Sequence, residues 1–131
     1  MNKGDDEKKK ILFVDDEESF LKLLVEKFSD YGFDLLTATN GKEGLEIAER
    51  ERPQVIVTDL SMPIMDGVEF ITKLRTQDSW GKQVFIIILS NRGDMDSIAD
   101  TMGLGAHHYF VKADTDLSKV LESVLIYTSY I

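Results

Sequence analysis

Five polar side chains stand at the ends of apolar runs. Asp15 and Asp16 follow "ILFV", Asp59 follows "VIVT", Ser90 follows "FIIIL", and Lys112 follows "HYFV". If these ends meet, they bring together three carboxylates, a hydroxyl and an ammonium. Three carboxylates in one place repel, and without a cation at least one must take up a proton. A hard divalent ion resolves the conflict. Oxygen ligands with no His or Cys among them suit Mg²⁺, and Mn²⁺ also fits. Lys112 then supplies a point charge for a phosphoryl oxygen, and Ser90 a hydrogen-bond donor. The set is suited to placing a phosphoryl group on one carboxylate. Asp59 is the acceptor, because it opens the loop "LSMPIMDG", which leaves room beside it. The Asp15–Asp16 pair is better placed for the metal.

The elements that must position these residues can be read from the spacing of apolar side chains. Five runs are strand-like: "ILFVD" from Ile11, "DLLTAT" from Asp34, "QVIVTD" from Gln54, "QVFIIILS" from Gln83 and "HHYFVK" from His107. Several are apolar throughout, as expected of parallel strands covered on both faces. Helical stripes fill the gaps. Phe20, Leu23, Leu24, Phe28 and Tyr31 form the first, which Gly32 stops. Asn40 and Gly41 open the second, carrying Leu45 and Ala48 and ending before Pro53. Asp66 and Glu69 resemble a capping box for the third, with Val68, Ile71 and Leu74 on one face. Met95, Ile98, Ala99 and Met102 mark the fourth. Leu117, Val120, Leu121, Val124 and Leu125 mark the fifth. Strand and helix alternate five times. The expected fold is α/β: a doubly wound, five-stranded parallel sheet flanked by five helices, flavodoxin-like, in a single domain. In such a sheet the carboxyl ends of the strands share one edge, where ligands bind. Residues 15 to 112 then converge on one crevice.

Composition is consistent with this. The chain has 131 residues, 43% of them apolar, enough for one domain with a real core. Its 24 acidic and 15 basic side chains give a net charge of −9, which argues against a direct nucleic-acid surface. It has no cysteine, so disulfides and thiolate metal sites are excluded. The longest apolar run, "VFIIIL", is far below a membrane span. The start, "MNKGDDEKKK", lacks the apolar stretch of a signal peptide, and a cytoplasmic location is expected. Residues 1–9 read as a flexible, charged tail and 10–131 as the domain.

Four segments, "ILFVDDEE", "VTDLSMPIMDG", "IIILS" and "YFVK", occur in an order and at separations that resemble the receiver domain of two-component response regulators. The likeness runs from about Lys10 to Tyr127. It implies that Asp59 accepts a phosphoryl group from a histidine kinase or a histidine phosphotransfer protein. Asp16, Asp59 and the backbone carbonyl of Ser61 would bind Mg²⁺, with Asp15 assisting through water. Lys112 would pair with the phosphoryl group, and Ser90 would move to hydrogen-bond to it. Tyr109 would change rotamer with Ser90. The signal would leave through the fourth helix, the fifth strand and the fifth helix, a face that could also pair with a second copy. Two positions depart from the family. Asn91 replaces the usual small residue at the mouth of the site. Ala113 replaces the usual cis-proline, and a trans Lys112–Ala113 bond is expected, because a non-proline cis bond costs about 2.5–4 kcal/mol.

Blander readings exist for each residue. Asp15 and Asp16 could be helix caps, Ser90 a strand terminator, Lys112 a solvated strand end and Tyr109 a core aromatic. Glu17 and Glu18 rank behind the other acids. His107 and His108 face opposite sides of a strand and make a poor chelating pair. An aspartyl-phosphate phosphohydrolase is the alternative enzyme, but the acids are adjacent rather than spaced Asp-x-Asp, and the chain is too short for a substrate cap. A receiver-like module that binds a partner without phosphorylation is the other alternative. Otherwise the chain is a switch and not a turnover enzyme. The final stretch, "VLIYTSYI", is more apolar than one buried face needs, so part of it is expected to pack against a partner or a further segment. Little chain follows the fifth helix, so the protein either stands alone or belongs to a longer one.

Overall fold

The computed structural model describes residues 8–129, so residues 1–7 of the charged tail and the last two residues lie outside the described residues. Five strands, β1 (Lys10–Val14), β2 (Asp34–Ala38), β3 (Val55–Thr58), β4 (Phe85–Ser90) and β5 (His108–Val111), pair in parallel in the order β2-β1-β3-β4-β5. Around them lie α1 (Glu18–Phe28), α2 (Gly41–Glu51), α3 (Gly67–Gln77), α4 (Ser79–Gln83), α5 (Met95–Gly103) and α6 (Leu117–Thr128). The five strands and the doubly wound layout match the expectation from sequence.

Successive strand residues face opposite sides of a sheet. One face carries Leu12, Val14, Ile56, Ile86 and Ile88, packed with Phe70, Ile71 and Leu74 of α3. The other carries Ile11, Phe13, Val55, Val57, Ile87 and Leu89, packed with Leu24 and Phe28 of α1 and Val120 and Val124 of α6. Because both sides of the sheet are covered, the inner strands β1, β3 and β4 are apolar along most of their length rather than alternating. Phe13 and Phe28 meet edge to face at 5.0 Å, both fully buried. Burying a side chain of that size contributes roughly 1.5–3 kcal/mol.

Three details differ from the sequence expectation. A sixth helix, α4, occupies five residues capped by Asp78, whose carboxylate accepts the Gly81 N–H at 2.9 Å. It is too short to show a period. In α1 the buried stripe is Leu21, Leu24 and Phe28, while Leu23 and Tyr31 face solvent. In α5 the buried residues are Ser97 and Thr101, and Met95, Ala99 and Met102 are exposed. Both α5 hydroxyls are satisfied locally: Ser97 donates to Asp94 and Thr101 to the Ser97 carbonyl, each at 2.9 Å. With its polar groups so bonded, a small polar face can lie against the domain.

Candidate functional site

Sheet register sets the acids side by side. Val14 is aligned with Thr58, and the Asp59 N–H donates to the Val14 carbonyl at 2.9 Å. Asp15 and Asp59 are thus the next residues on adjacent strands, at the point where strand order reverses and α/β sheets open a crevice. Ser90 is aligned with Val111, so Lys112 begins just beyond it.

Lys112 is the centre of the site. Its Nζ lies 2.7 Å from Asp15 Oδ2, 3.1 Å from Asp59 Oδ2 and 3.0 Å from Glu17 Oε1, and 4.5 Å from the Phe20 ring centre. Asp15 and Asp59 are buried, at 2% and 6% exposure. Asp15 Oδ1 accepts the Glu17 N–H at 2.9 Å, and Asp59 Oδ1 accepts the Leu60 N–H at 2.6 Å. Burial pushes the Asp15 carboxyl above its usual range, although hydrogen bonds from Lys112 and the Glu17 backbone pull the other way. Burial would lower Lys112, but hydrogen bonds to Asp15, Glu17 and Asp59 outweigh it and raise the ammonium above its ordinary value. Lys112 therefore remains a fixed positive charge at neutral pH.

The loop after Asp59 is held in shape from several sides. Gly67, which starts α3, donates its N–H to the Leu60 carbonyl at 2.9 Å. A Cβ at Gly67 would lie 2.3 Å from the Asp59 carbonyl oxygen, so only glycine lets α3 come this close to the strand end. Gly41 of α2 donates to the Met65 carbonyl at 3.0 Å. Ile64 adopts φ +71° inside a tight turn closed by the Met65 N–H on the Pro63 carbonyl, an unfavourable conformation for a β-branched residue.

Asp59, Asp16, Glu17, Ser61, Ser90, Asn91 and Arg92 line a cavity of about 370 Å³ open to solvent. Ser90 is buried, and its Oγ accepts the Arg92 N–H at 3.3 Å. The Tyr109 hydroxyl donates to the Arg92 carbonyl. Arg92 Nε donates to Ser61 Oγ at 2.9 Å, leaving the Ser61 carbonyl outside that bond. The Lys112–Ala113 bond is trans, since no cis peptide occurs among the described residues, and Lys112–Asp114 form one turn of 3₁₀-helix.

The structure thus brings Asp15, Asp59, Ser90 and Lys112 together, as the strand ends suggested. Asp16 sits on the exposed rim of the cavity. The carboxylates whose oxygens lie within 4.8 Å of one another are Asp15, Asp59 and Glu17. Glu17, ranked behind the aspartates in the sequence, reaches Lys112 because its side chain is longer. Arg92 carried no sequence signal: it lies in a polar loop, and its contacts depend on where that loop folds. The histidines do diverge. The His107 ring packs on Phe85 and Tyr127, and His108 stacks on Phe110 at 4.2 Å.

Comparison with known proteins agrees with this geometry. The family model described as "Response regulator receiver domain" matches residues 11–124. Sporulation initiation phosphotransferase F of Bacillus subtilis is 33% identical over 118 residues, covering 90% of this chain and 92% of that protein. The alkaline phosphatase synthesis transcriptional regulatory protein PhoP of the same organism is 41% identical over 106 residues. That match covers 79% of this chain but 42% of the regulator, so the chain spans less than half of that relative. Among solved structures, the CheX-CheY-BeF3-Mg+2 complex from Borrelia burgdorferi superposes with a TM-score of 0.81 at 27% identity, covering 94% of this chain and 90% of that one.

Proposed function

The chain belongs to the receiver domain family of two-component response regulators, phosphorylatable switches, and on that premise we propose that Asp59 is the phosphoryl acceptor. The observation that carries this is a carboxylate buried at the carboxyl end of β3, facing a solvent-open cavity and held 3.1 Å from the Lys112 ammonium. The donor would be a phosphohistidine on a histidine kinase or phosphotransfer protein. An Asp59 oxygen forms the new P–O bond as the donor's P–N bond breaks, and the imidazole nitrogen leaves with the electron pair.

The oxygen donors here suit a divalent ion: Asp16, Asp59 and Ser61 line the cavity together, and Asp15 and Glu17 stand beside Asp59 with one ammonium to balance three acids. Asp16, Asp59 and the Ser61 carbonyl would hold Mg²⁺, with Asp15 through water; Mn²⁺ would serve as well. When bound, the ion would neutralise charge on the phosphoryl oxygens. Lys112 balances the acids and pairs with the transferred group. Ser90 donates its hydroxyl to that group, and because a hydroxyl can donate while it accepts, the bond it receives from the Arg92 N–H can persist as it moves.

Ser90 and Tyr109 both bond to the backbone of Arg92. Movement of Ser90 toward a phosphoryl group would therefore move the acceptor of Tyr109 as well. This supports a population shift carried to the α5–β5–α6 face. Met95, Met102, Leu125 and Ile126 are exposed on those two helices, an apolar surface that suits a downstream partner or a second copy. The chain acts as a switch with slow self-dephosphorylation, not as a turnover enzyme. Cytoplasmic location accords with a kinase partner, and no described helix is long and apolar enough to cross a membrane.

The test is Mg²⁺-dependent labelling by a phosphohistidine donor or acetyl phosphate. Wild-type protein should label on Asp59, and Asp59→Asn should not. Full labelling of D59N at the same site would refute the assignment. Failure of the wild type to bind Mg²⁺ or a phosphoryl mimic would favour a module that binds its partner without phosphorylation.

A further inference from the structure

Charge at the cavity mouth raises a problem that Lys112 alone does not solve. Asp15, Asp16, Glu17 and Asp59 bring four negative charges, against one from Lys112 and two from a divalent ion. An incoming phosphoryl donor is itself anionic. Among the residues lining the open cavity, Arg92 is the one cation. Its Nε is anchored on Ser61 Oγ at 2.9 Å, in the loop that follows Asp59. The anchor leaves the two terminal nitrogens of the guanidinium with no hydrogen bond to a described residue. A planar guanidinium matches phosphate oxygens in pairs, and holding it by one nitrogen fixes the plane before the anion arrives.

We propose that Arg92, tethered by Ser61, is a binding residue for dianionic phosphoryl donors at the mouth of the site. The inference rests on Asp59 being the acceptor, and it names the residue that admits the donor rather than the one that reacts. In the reaction with acetyl phosphate, Asp59 takes the phosphoryl group as the P–O bond to acetate breaks and acetate departs with the electron pair. Arg92 touches the donor's phosphoryl oxygens and takes no part in bond making.

The experiment measures labelling rate against acetyl phosphate concentration for wild type, Arg92→Gln, Arg92→Lys and Ser61→Ala, with Mg²⁺ affinity measured separately by calorimetry. R92Q should raise the half-saturating donor concentration by about tenfold, the scale of one charge-assisted contact. Its maximal rate should change less. Lysine keeps the charge without the fork, and S61A keeps the guanidinium without its tether, so both should fall between. Because Arg92 is exposed, the difference should shrink at high salt. Mg²⁺ should bind R92Q as tightly as wild type or tighter, since a nearby positive charge has gone. That readout separates a charge at the mouth from a distorted site, which would weaken ion and donor together.

An unchanged half-saturation in R92Q, or equal weakening of Mg²⁺ and donor, would overturn the role of Arg92 while leaving Asp59 in place. Wild-type protein that takes no label would overturn the acceptor assignment, and Arg92 with it.

Discussion

Replacing Lys112 with Met keeps most of the side-chain volume and removes only the charge. The structure sets the cost. Lys112 Nζ sits 2.7 Å from Asp15 and 3.1 Å from Asp59, and all three side chains are under a tenth exposed. Taking away one partner of a buried pair costs about 3–5 kcal/mol, because the remaining charge is left uncompensated. Glu17 is exposed enough to rehydrate and adds little. The penalty must depend on pH. Burial already raises Asp15, and Lys112 is among the groups that restrain the rise. Without it, the folded carboxyl shifts further above an unfolded value near 3.9. A group raised on folding contributes stability below its unfolded pKa and loses it as pH rises through the folded pKa. K112M should therefore be near wild type at acid pH and clearly weaker at neutral pH. Mg²⁺ should restore part of the difference by replacing the lost cation. Urea unfolding followed by the single tryptophan, Trp80, should show a midpoint lower by about 2 M at pH 7.5, taking about 2 kcal/mol per molar for the slope. An equal fall at pH 5 and pH 7.5, unaffected by Mg²⁺, would show that Lys112 supports the site through packing and not through charge.

Three further outcomes are expected. Gly67→Ala places a Cβ 2.3 Å from the Asp59 carbonyl oxygen, so it should cost about 1–3 kcal/mol in urea unfolding and slow labelling of Asp59. Arg75 donates to the carbonyls of Gly81, Val84, Leu104 and Gly105; Arg75→Met should lower stability by about 2 kcal/mol or more, while Mg²⁺ affinity at the far edge of the sheet stays the same. His107 is held below its usual pKa, chiefly by burial and then by the charge of Arg75, and its Nδ1 accepts the Ile86 N–H at 3.2 Å. It contributes stability above about pH 6.5 that is lost as pH falls through the depressed folded value, so His107→Phe should flatten the decline in urea midpoint between pH 7 and pH 5.

Much of this site was legible in the chain because its residues terminate strands. A strand end is easily found when the strand is apolar and the next residue is charged, as at Asp15, Asp59 and Lys112. What periodicity could not decide was which of two stripes on α5 faces inward. Met95 and Met102 made the more apolar stripe, yet Ser97 and Thr101 are buried because their hydroxyls bond within the helix and its cap. Helix α4 escaped notice because five residues around Gly81 span little more than one turn. Glu17 was ranked too low, and Arg92 was missed, for another reason. Both are long side chains on loops or helix starts, and their reach is set by tertiary placement. In the final stretch Val124 and Thr128 are buried while Leu125 and Ile126 are exposed, and residues 130 and 131 lie outside the described residues.

The contact between Lys112 and Glu17 joins residues 95 positions apart, and that with Asp59 spans 53. During synthesis the acids emerge long before their counter-charge. A nascent chain that has made β1 and β3 carries Asp15 and Asp59 with no ammonium to balance them, so burying the pair early is unfavourable. Closing the edge of the sheet must wait for β5. An incomplete chain, then, is poorly able to bring Asp15 and Asp59 together. The same lysine that balances the finished site ties the assembly of that site to completion of the fold.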